Sequence, residues 1–149
     1  MVKVLIKKLD SAVKLPKYET KGASGMDLIA FLKEPVNIEP RASHLIPTGI
    51  SVAFSKNYEI QIRPRSGLAA KKSISVLNAP GTIDSDYRGE IKVIIYNHGK
   101  TDFIVNNGDR IAQMVLSPVI KMELNETDNL PETIRGEGGF GSTGKWILS

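Results

Sequence analysis

The 149-residue sequence contains no cysteine. This absence excludes disulfides, thiolate metal sites, iron–sulfur clusters and a cysteine nucleophile, and it favours a reducing compartment. The two histidines, His44 and His98, lie far apart without the carboxylate spacing of a zinc site, so we expect surface or packing roles for both. Aromatic residues are only 6% of the chain and the lysines and arginines are dispersed, which argues against a nucleic-acid partner bound by base stacking.

Long apolar runs are also missing. Residues 1–8 contain too few consecutive apolar side chains for a signal peptide, and no later segment approaches the roughly 18 apolar residues of a membrane span. We therefore expect a cytoplasmic protein, or a nuclear or organellar one in a eukaryote, with no membrane partner. The net charge of +4, from 20 Lys and Arg against 16 Asp and Glu, suits an anionic ligand without identifying it.

Apolar and polar residues alternate with a period of two in several segments, and this pattern predicts half-buried strands. The strongest alternation runs over residues 50–54, 58–62 and 91–95, and shorter strands are predicted at 2–6, 27–31, 103–105 and 111–116. A single short helix is predicted from Ser66, as N-cap, to Lys72. Many short strands in one domain indicate an all-β antiparallel sandwich or barrel.

The C-terminal segment 135–145 holds five of the 13 glycines. It matches a dinucleotide fingerprint and most of a P-loop, but Trp146 stands where a P-loop needs Ser or Thr, and too few residues follow to form the required helix. A flexible terminus is one interpretation. A clamp for a polyanion, with an aromatic face for stacking, is the other, because the segment carries Arg135, Phe140, Ser142 and Thr143.

Arg65, Ser66 and Gly67 follow an alternating strand and begin the predicted helix. A guanidinium, a hydroxyl and backbone N–H groups at this position suit a phosphate. The alternative is structural, with Ser66 acting only as a helix cap and Arg65 as a surface charge.

Residues 78–90 predict a hairpin that carries Asn78, Asp84 and Tyr87. A carboxylate on a rigid hairpin can orient and deprotonate a water, but a loop aspartate can also simply cap a turn. The spacing of the residues leaves both interpretations open.

Taken in order, these segments resemble the five motifs of the trimeric dUTP diphosphatases, the dUTPase family. The motifs correspond to residues 23–30, 63–71, 78–96, 107–116 and 135–144. The resemblance covers nearly the whole chain and implies a jelly-roll-like β-clip domain at 1–134, followed by a Gly-rich arm at 135–149 that closes over an active site. It also implies hydrolysis of dUTP to dUMP and pyrophosphate with Mg²⁺, in a homotrimer whose active sites are each built from three chains.

The resemblance assigns roles to individual residues. It implies that Asp84 activates the attacking water and that Tyr87 packs against the deoxyribose. The implied uracil pocket consists of Asn78, Gly81, Thr82, Ile83 and Lys92, with Phe140 closing over it. The implied phosphate contacts come from Arg65, Ser66, Gly67, Gln113, Arg135, Gly141, Ser142 and Thr143. Asp27 is expected to reach Mg²⁺ only through a water, since the family holds the metal by the phosphates.

Two other functions remain as alternatives at this point. A dCTP deaminase shares the fold, but the sequence at 82–87, Thr-Ile-Asp-Ser-Asp-Tyr, favours the diphosphatase. A non-enzymatic nucleotide-sensing or capsid-like β module is disfavoured because Asp84 and the Arg135 segment are both present. The largely apolar ending at 145–149 extends beyond the last motif and has no assigned role.

Overall fold

The computed structural model describes residues 1–139, which form eleven β-strands and one short helix. The predicted all-β class with one helix is confirmed. The elements are β1 (Leu5–Lys8), β2 (Met26–Ile29), β3 (Val36–Ile38), β4 (Ser43–Pro47), β5 (Ile50–Ala53), β6 (Tyr58–Arg63), α1 (Ser66–Lys72), β7 (Ile74–Val76), β8 (Gly81–Ile83), β9 (Lys92–Asn97), β10 (Phe103–Val105) and β11 (Arg110–Pro118).

The strands pair antiparallel in four sheets of the described range. Two are pairs, β1–β5 and β3–β10, and the third has the order β4–β9–β7. The fourth, with the order β2–β11–β6–β8, brings together strands from both ends of the chain. These pairings do not close a barrel within residues 1–139. Most of the residues that carry candidate chemistry lie on this fourth sheet or at its edge.

The core is formed by the inward faces of the alternating strands. Ile60 and Ile62 of β6 are each 3% exposed, and Ile95 of β9 is fully buried. This confirms the buried faces that the period-two pattern predicts for these strands. β1 differs, because all four of its residues are exposed and it begins later than the predicted strand. Strands β3, β4 and β7 were not predicted, since each is short or interrupted by polar residues and Pro.

Helix α1 covers the predicted range, but its N-cap was predicted wrongly. Arg65 is the N-cap, with extended backbone, and Ser66 is the first helical residue. The helix ends at Ser73, whose left-handed backbone (φ 56°) lets its N–H reach the carbonyls of Leu68 and Ala69. No helix within residues 1–139 has the length and apolarity needed to cross a membrane.

Asn97, at the end of β9, is a fully buried polar side chain. Its amide Nδ2 donates to the carbonyls of Ile38 and Thr101, each at 2.9 Å, and its Oδ1 accepts from the N–H of Gly99 at 2.8 Å. Asn97 therefore joins β3, β9 and the following turn through one side chain. A buried amide is tolerated here because both of its polar atoms have hydrogen-bond partners.

Replacing Asn97 with alanine is expected to lower the free energy of unfolding by about 2–4 kcal/mol, because buried backbone groups lose their partners. Urea denaturation at fixed subunit concentration measures this change. Asn57→Ala, at an exposed turn asparagine, is the control and should leave the midpoint unchanged. An Asn97→Ala protein as stable as the wild type would contradict a structural role for this hydrogen-bond network.

Candidate active site

Three polar residues form a row across the four-stranded sheet. Gln113 of β11 pairs with Asp27 of β2 on one side and with Arg63 of β6 on the other. The Gln113 amide donates to the Pro64 carbonyl at 3.2 Å, which fixes the chain as it leaves β6 for α1. Antiparallel pairing thus brings the first, second and fourth motifs together, although they are far apart in the sequence.

Asp27 lies between two arginines. Its Oδ1 accepts from Arg65 Nε at 3.0 Å, and its Oδ2 accepts from Arg110 Nη1 at 3.1 Å. Arg65 Nη1 also donates to the Arg110 carbonyl at 3.0 Å. We call these three residues the Asp27 cluster. Two guanidinium groups against one carboxylate leave a net positive charge, and with Arg65 at 25% and Arg110 at 50% exposed, the cluster can take an anion.

Ser66 and Gly67 lie directly beside the Asp27 cluster, in the first turn of α1, and both are exposed. A Cβ added to Gly67 would meet nothing within 4 Å, so the backbone there is open to a ligand. The first N–H groups of a helix have no partner within the helix. The structure therefore sets Gln113 against Pro64, at the start of the segment that carries Arg65, Ser66 and Gly67. Binding of one anion by these residues stays a prediction.

A small cavity lies at the other edge of the same sheet, between β6, β8 and β9. It is lined by all five residues that the resemblance assigns to the uracil pocket, which are Asn78, Gly81, Thr82, Ile83 and Lys92. A Cβ on Gly81 would lie 3.2 Å from the Asn78 amide nitrogen and 3.3 Å from Ile62 Cβ. Glycine at this position lets the backbone approach Asn78 closely and keeps the cavity narrow. We call this space the base cavity.

Asp84 and Tyr87 lie in the turn that follows β8, and both are exposed. The Asp84 carbonyl accepts from the Tyr87 N–H at 3.1 Å and so closes the turn. Arg88 Nη1 donates to the carbonyls of Ser85 and Tyr87, at 2.7 and 2.9 Å, which stiffens it further. β8 and β9 pair in different sheets, so the predicted hairpin over residues 78–90 is wrong. Asp84 lies instead in the ordered segment between these strands, the β8–β9 loop (residues 84–91), and is exposed to solvent.

In the described part of the chain, the C-terminal segment makes no hydrogen bond to the Asp27 cluster, the base cavity or Asp84. Arg135 Nε donates to the Gly138 carbonyl at 2.7 Å, and the other hydrogen bonds of this stretch also stay within residues 133–138. Phe140, Gly141, Ser142 and Thr143 lie outside the described residues, so their assigned roles stay predictions.

Arg110 is a site residue that sequence reasoning did not single out, although it falls within the fourth motif. Its partner Asp27 is 83 positions away in the sequence, so no local pattern reveals the ion pair. The available signal is an arginine at the first position of a strand, directly after Gly108 and Asp109.

Comparisons with known proteins agree with this geometry. The dUTPase family model matches residues 11–144. The deoxyuridine 5'-triphosphate nucleotidohydrolase of Rickettsia bellii (strain OSU 85-389) is 53% identical over 148 residues, which cover 99% of each chain. A mutant dUTPase of Staphylococcus bacteriophage 80alpha, solved with dUpNHpp, has a similar fold, with a TM-score of 0.85, 24% identity and coverage of 96% of this chain and 99% of that one.

A second similar structure is a mutant dUTPase from phage phi11 of S. aureus, which is described with a structural Mg(II) ion. Its TM-score is 0.78 at 21% identity, covering 87% of this chain and 99% of that one. Both phage enzymes are distant in sequence, so they support the jelly-roll-like β-clip fold rather than any particular site residue.

Proposed function

This chain belongs to the dUTPase family, and on that premise we propose that it hydrolyses dUTP to dUMP and pyrophosphate. The observation that carries the proposal is the shared sheet, which has the base cavity at one edge and the Asp27 cluster at the other. The reaction would limit uracil incorporation into DNA and supply dUMP for thymidylate synthesis. We propose a cytoplasmic location for it.

The base cavity selects uracil by shape and by hydrogen bonding. We propose that Asn78 and the backbone of 81–83 imitate a base-pairing edge, and that rigid backbone in this narrow cavity excludes thymine's C5 methyl group. Cytosine presents the opposite donor and acceptor pattern, so it would leave polar groups unpaired. Tyr87 packs against the deoxyribose and excludes a ribose 2′-hydroxyl.

The triphosphate binds beside the Asp27 cluster. Arg65 supplies charge and directed N–H donors, Ser66 and Gly67 supply a hydroxyl and open backbone, and Gln113 lies next to them. We propose residues 135–149 as the arm that completes the site, with Arg135 at the γ-phosphate, Gly141, Ser142 and Thr143 at phosphate oxygens, and Phe140 over the uracil.

Asp84 acts as the general base. Its carboxylate accepts a proton from a water whose oxygen attacks the α-phosphorus, and the bond from that phosphorus to the pyrophosphate oxygen breaks on the opposite side. The hydrogen-bonded turn supports this role because it orders the main chain at Asp84 while the residue stays exposed to solvent.

Mg²⁺ is the cofactor that the family implies, and the Asp27 cluster fits a water-mediated contact with it. Each Asp27 oxygen takes one guanidinium N–H, and a carboxylate has about four acceptor positions, so a water can still bind. Within residues 1–139 no three His, Asp or Glu side chains form a direct metal site, which suits an ion held by the substrate's phosphates. When bound, the ion neutralises phosphate charge and favours in-line geometry.

The active unit is a homotrimer with shared sites. Two observations support this assembly. Among residues 1–139, Arg135 hydrogen-bonds only to Gly138 and makes no contact of this kind with the β-strands of its own chain, which supports a place for it at a site on a neighbouring chain. The segment that leads to it exposes large apolar side chains, namely Ile120, Met122, Leu124, Leu130 and Ile134, all at least 82% exposed. Exposed apolar surface of this extent is typical of an interaction site.

The experiment that tests the function supplies the purified protein with Mg²⁺ and, separately, dUTP, dCTP, dTTP or UTP. We expect pyrophosphate and dUMP from dUTP, with much slower release from the other three. Conversion of dCTP to dUTP would identify a deaminase instead. Absence of turnover with all four would favour the non-enzymatic β module.

A further inference from the structure

Glu90 lies near the end of the β8–β9 loop that carries Asp84 and Tyr87, and we propose that it is a positioning residue that sets the preference for deoxyribose over ribose. It acts through Tyr87, and the proposal therefore rests on the function proposed above. Neither the family resemblance nor the sequence pattern singled out this residue. The proposal comes from contacts that join the β8–β9 loop to the β4–β5 turn.

The β4–β5 turn, residues 48–49, and the first residue of β5 hold the end of the β8–β9 loop through three hydrogen bonds. Glu90 Oε1 accepts from the Gly49 N–H at 2.8 Å, Ile91 N–H donates to the Ile50 carbonyl at 2.8 Å, and Thr48 Oγ1 donates to the Ile91 carbonyl at 2.5 Å. We call this set the turn clamp. Thr48 is 3% exposed and Ile91 is fully buried, so the clamp is anchored in the core.

The turn requires glycine at position 49. Gly49 has a φ of 69°, a conformation that side chains rarely adopt, and a Cβ there would overlap Val13. Its N–H is thereby fixed in direction towards the Glu90 carboxylate. This backbone donor meets a charged acceptor, a type of hydrogen bond that is stronger than one between neutral groups.

Tyr87 is held by the same residue. Its phenol donates to the Glu90 carbonyl at 3.0 Å. The phenol lies where a side chain on Gly89 would be, since a Cβ at that position would overlap the Tyr87 oxygen and ring. The position of the tyrosine ring relative to the proposed sugar site therefore depends on the position of the Glu90 main chain. The turn clamp keeps that main chain in place.

Glu90 also links the sugar side of the site to the base cavity. Its second oxygen, Oε2, lies 3.7 Å from Lys92 Nζ, and Lys92 lines that cavity. The Glu90 side chain is 22% exposed, so water screens these contacts only in part. Loss of the carboxylate removes one of the three bonds of the turn clamp and loosens the end of the β8–β9 loop beside the Glu90 carbonyl that holds Tyr87.

The test compares Glu90→Ala with Glu90→Gln and measures kcat and KM for dUTP and for UTP in the full-length protein. We expect Glu90→Ala to lower the dUTP-to-UTP ratio of kcat/KM about fivefold, the effect of one lost hydrogen bond. Glu90→Gln should keep most of the ratio, because its amide oxygen can still accept from Gly49 N–H. Glu34→Ala, at an exposed loop glutamate, is the matched control and should leave the ratio unchanged.

Gly89→Ala provides a second route, because it displaces the Tyr87 phenol and leaves the Glu90 carboxylate in place. It should lower the ratio as Glu90→Ala does, even if Glu90→Ala fails to fold. An unchanged ratio in folded Gly89→Ala or Glu90→Ala overturns the inference, as does an equal loss of activity towards both substrates. A wild-type protein that does not hydrolyse dUTP overturns the proposed function itself, which is a separate outcome.

Discussion

The Asp84→Asn protein is expected to turn over dUTP about 10²- to 10⁴-fold more slowly than the wild type, because an amide cannot take the proton of the attacking water. The substitution keeps the size of the side chain. It also keeps the turn, since the bond that closes it uses the Asp84 main-chain carbonyl and the Tyr87 N–H. The measurement is kcat from pyrophosphate release, together with the affinity for dUpNHpp, which should stay near the wild-type value.

Asp86→Asn is the matched control, because Asp86 is an exposed aspartate two positions further along the same loop. It removes the same charge from the same β8–β9 loop, so a loss caused only by local electrostatics would appear in both variants. We expect Asp86→Asn to retain nearly full turnover. Near-normal kcat in Asp84→Asn would remove Asp84 from the role of general base.

Removal of residues 135–149 is expected to leave a folded assembly with at least roughly 100-fold lower kcat/KM for dUTP. Among the described residues, the hydrogen bonds of residues 135–138 reach no further back than Thr133, so this part of the deletion takes no such bond from the strands or the helix. The expected loss arises because Arg135 and the residues after it no longer reach the phosphates and the base.

Three measurements separate the possible outcomes of this deletion. Light scattering should give the same mass per assembly apart from the missing residues, and the unfolding midpoint should be unchanged. Arg135→Ala in the full chain should lose part of the activity, because one phosphate contact is missing while the arm remains. Full activity in the truncated protein would contradict a role in catalysis, and unfolding would show that the arm is structural.

The local sequence pattern predicts only part of the fold. Period-two alternation predicts β6 and β9 correctly, because one face of each strand is buried against the core. It misses β3, with three residues, and β4, which combines polar residues with Pro47. It also takes Ser66 for the N-cap, since a serine before a helix usually caps it, whereas Arg65 occupies that position and its side chain is drawn to Asp27.

The sequence likewise indicates some residues of the candidate site and misses others. The resemblance to the dUTPase motifs, rather than spacing alone, indicates Asp84, Asn78 and Arg65, because each lies in a segment whose local sequence matches a motif. Arg110 was missed because its role depends on Asp27, which lies on a different strand. Glu90 was missed because its partner is the backbone of Gly49, and a backbone N–H leaves no trace in a sequence pattern.

The sequence by itself determined the chemistry that this protein can perform. It lacks cysteine, has few histidines, and carries an aspartate between Gly81 and Gly89 and arginines near glycine-rich or helical turns. Only the tertiary structure decided which of these groups act together. Antiparallel pairing set Asp27 beside Gln113, and a left-handed glycine turned one N–H towards Glu90. The physical reason is that residue type fixes charge and hydrogen-bonding capacity, whereas sheet register and backbone direction fix the distances over which they operate.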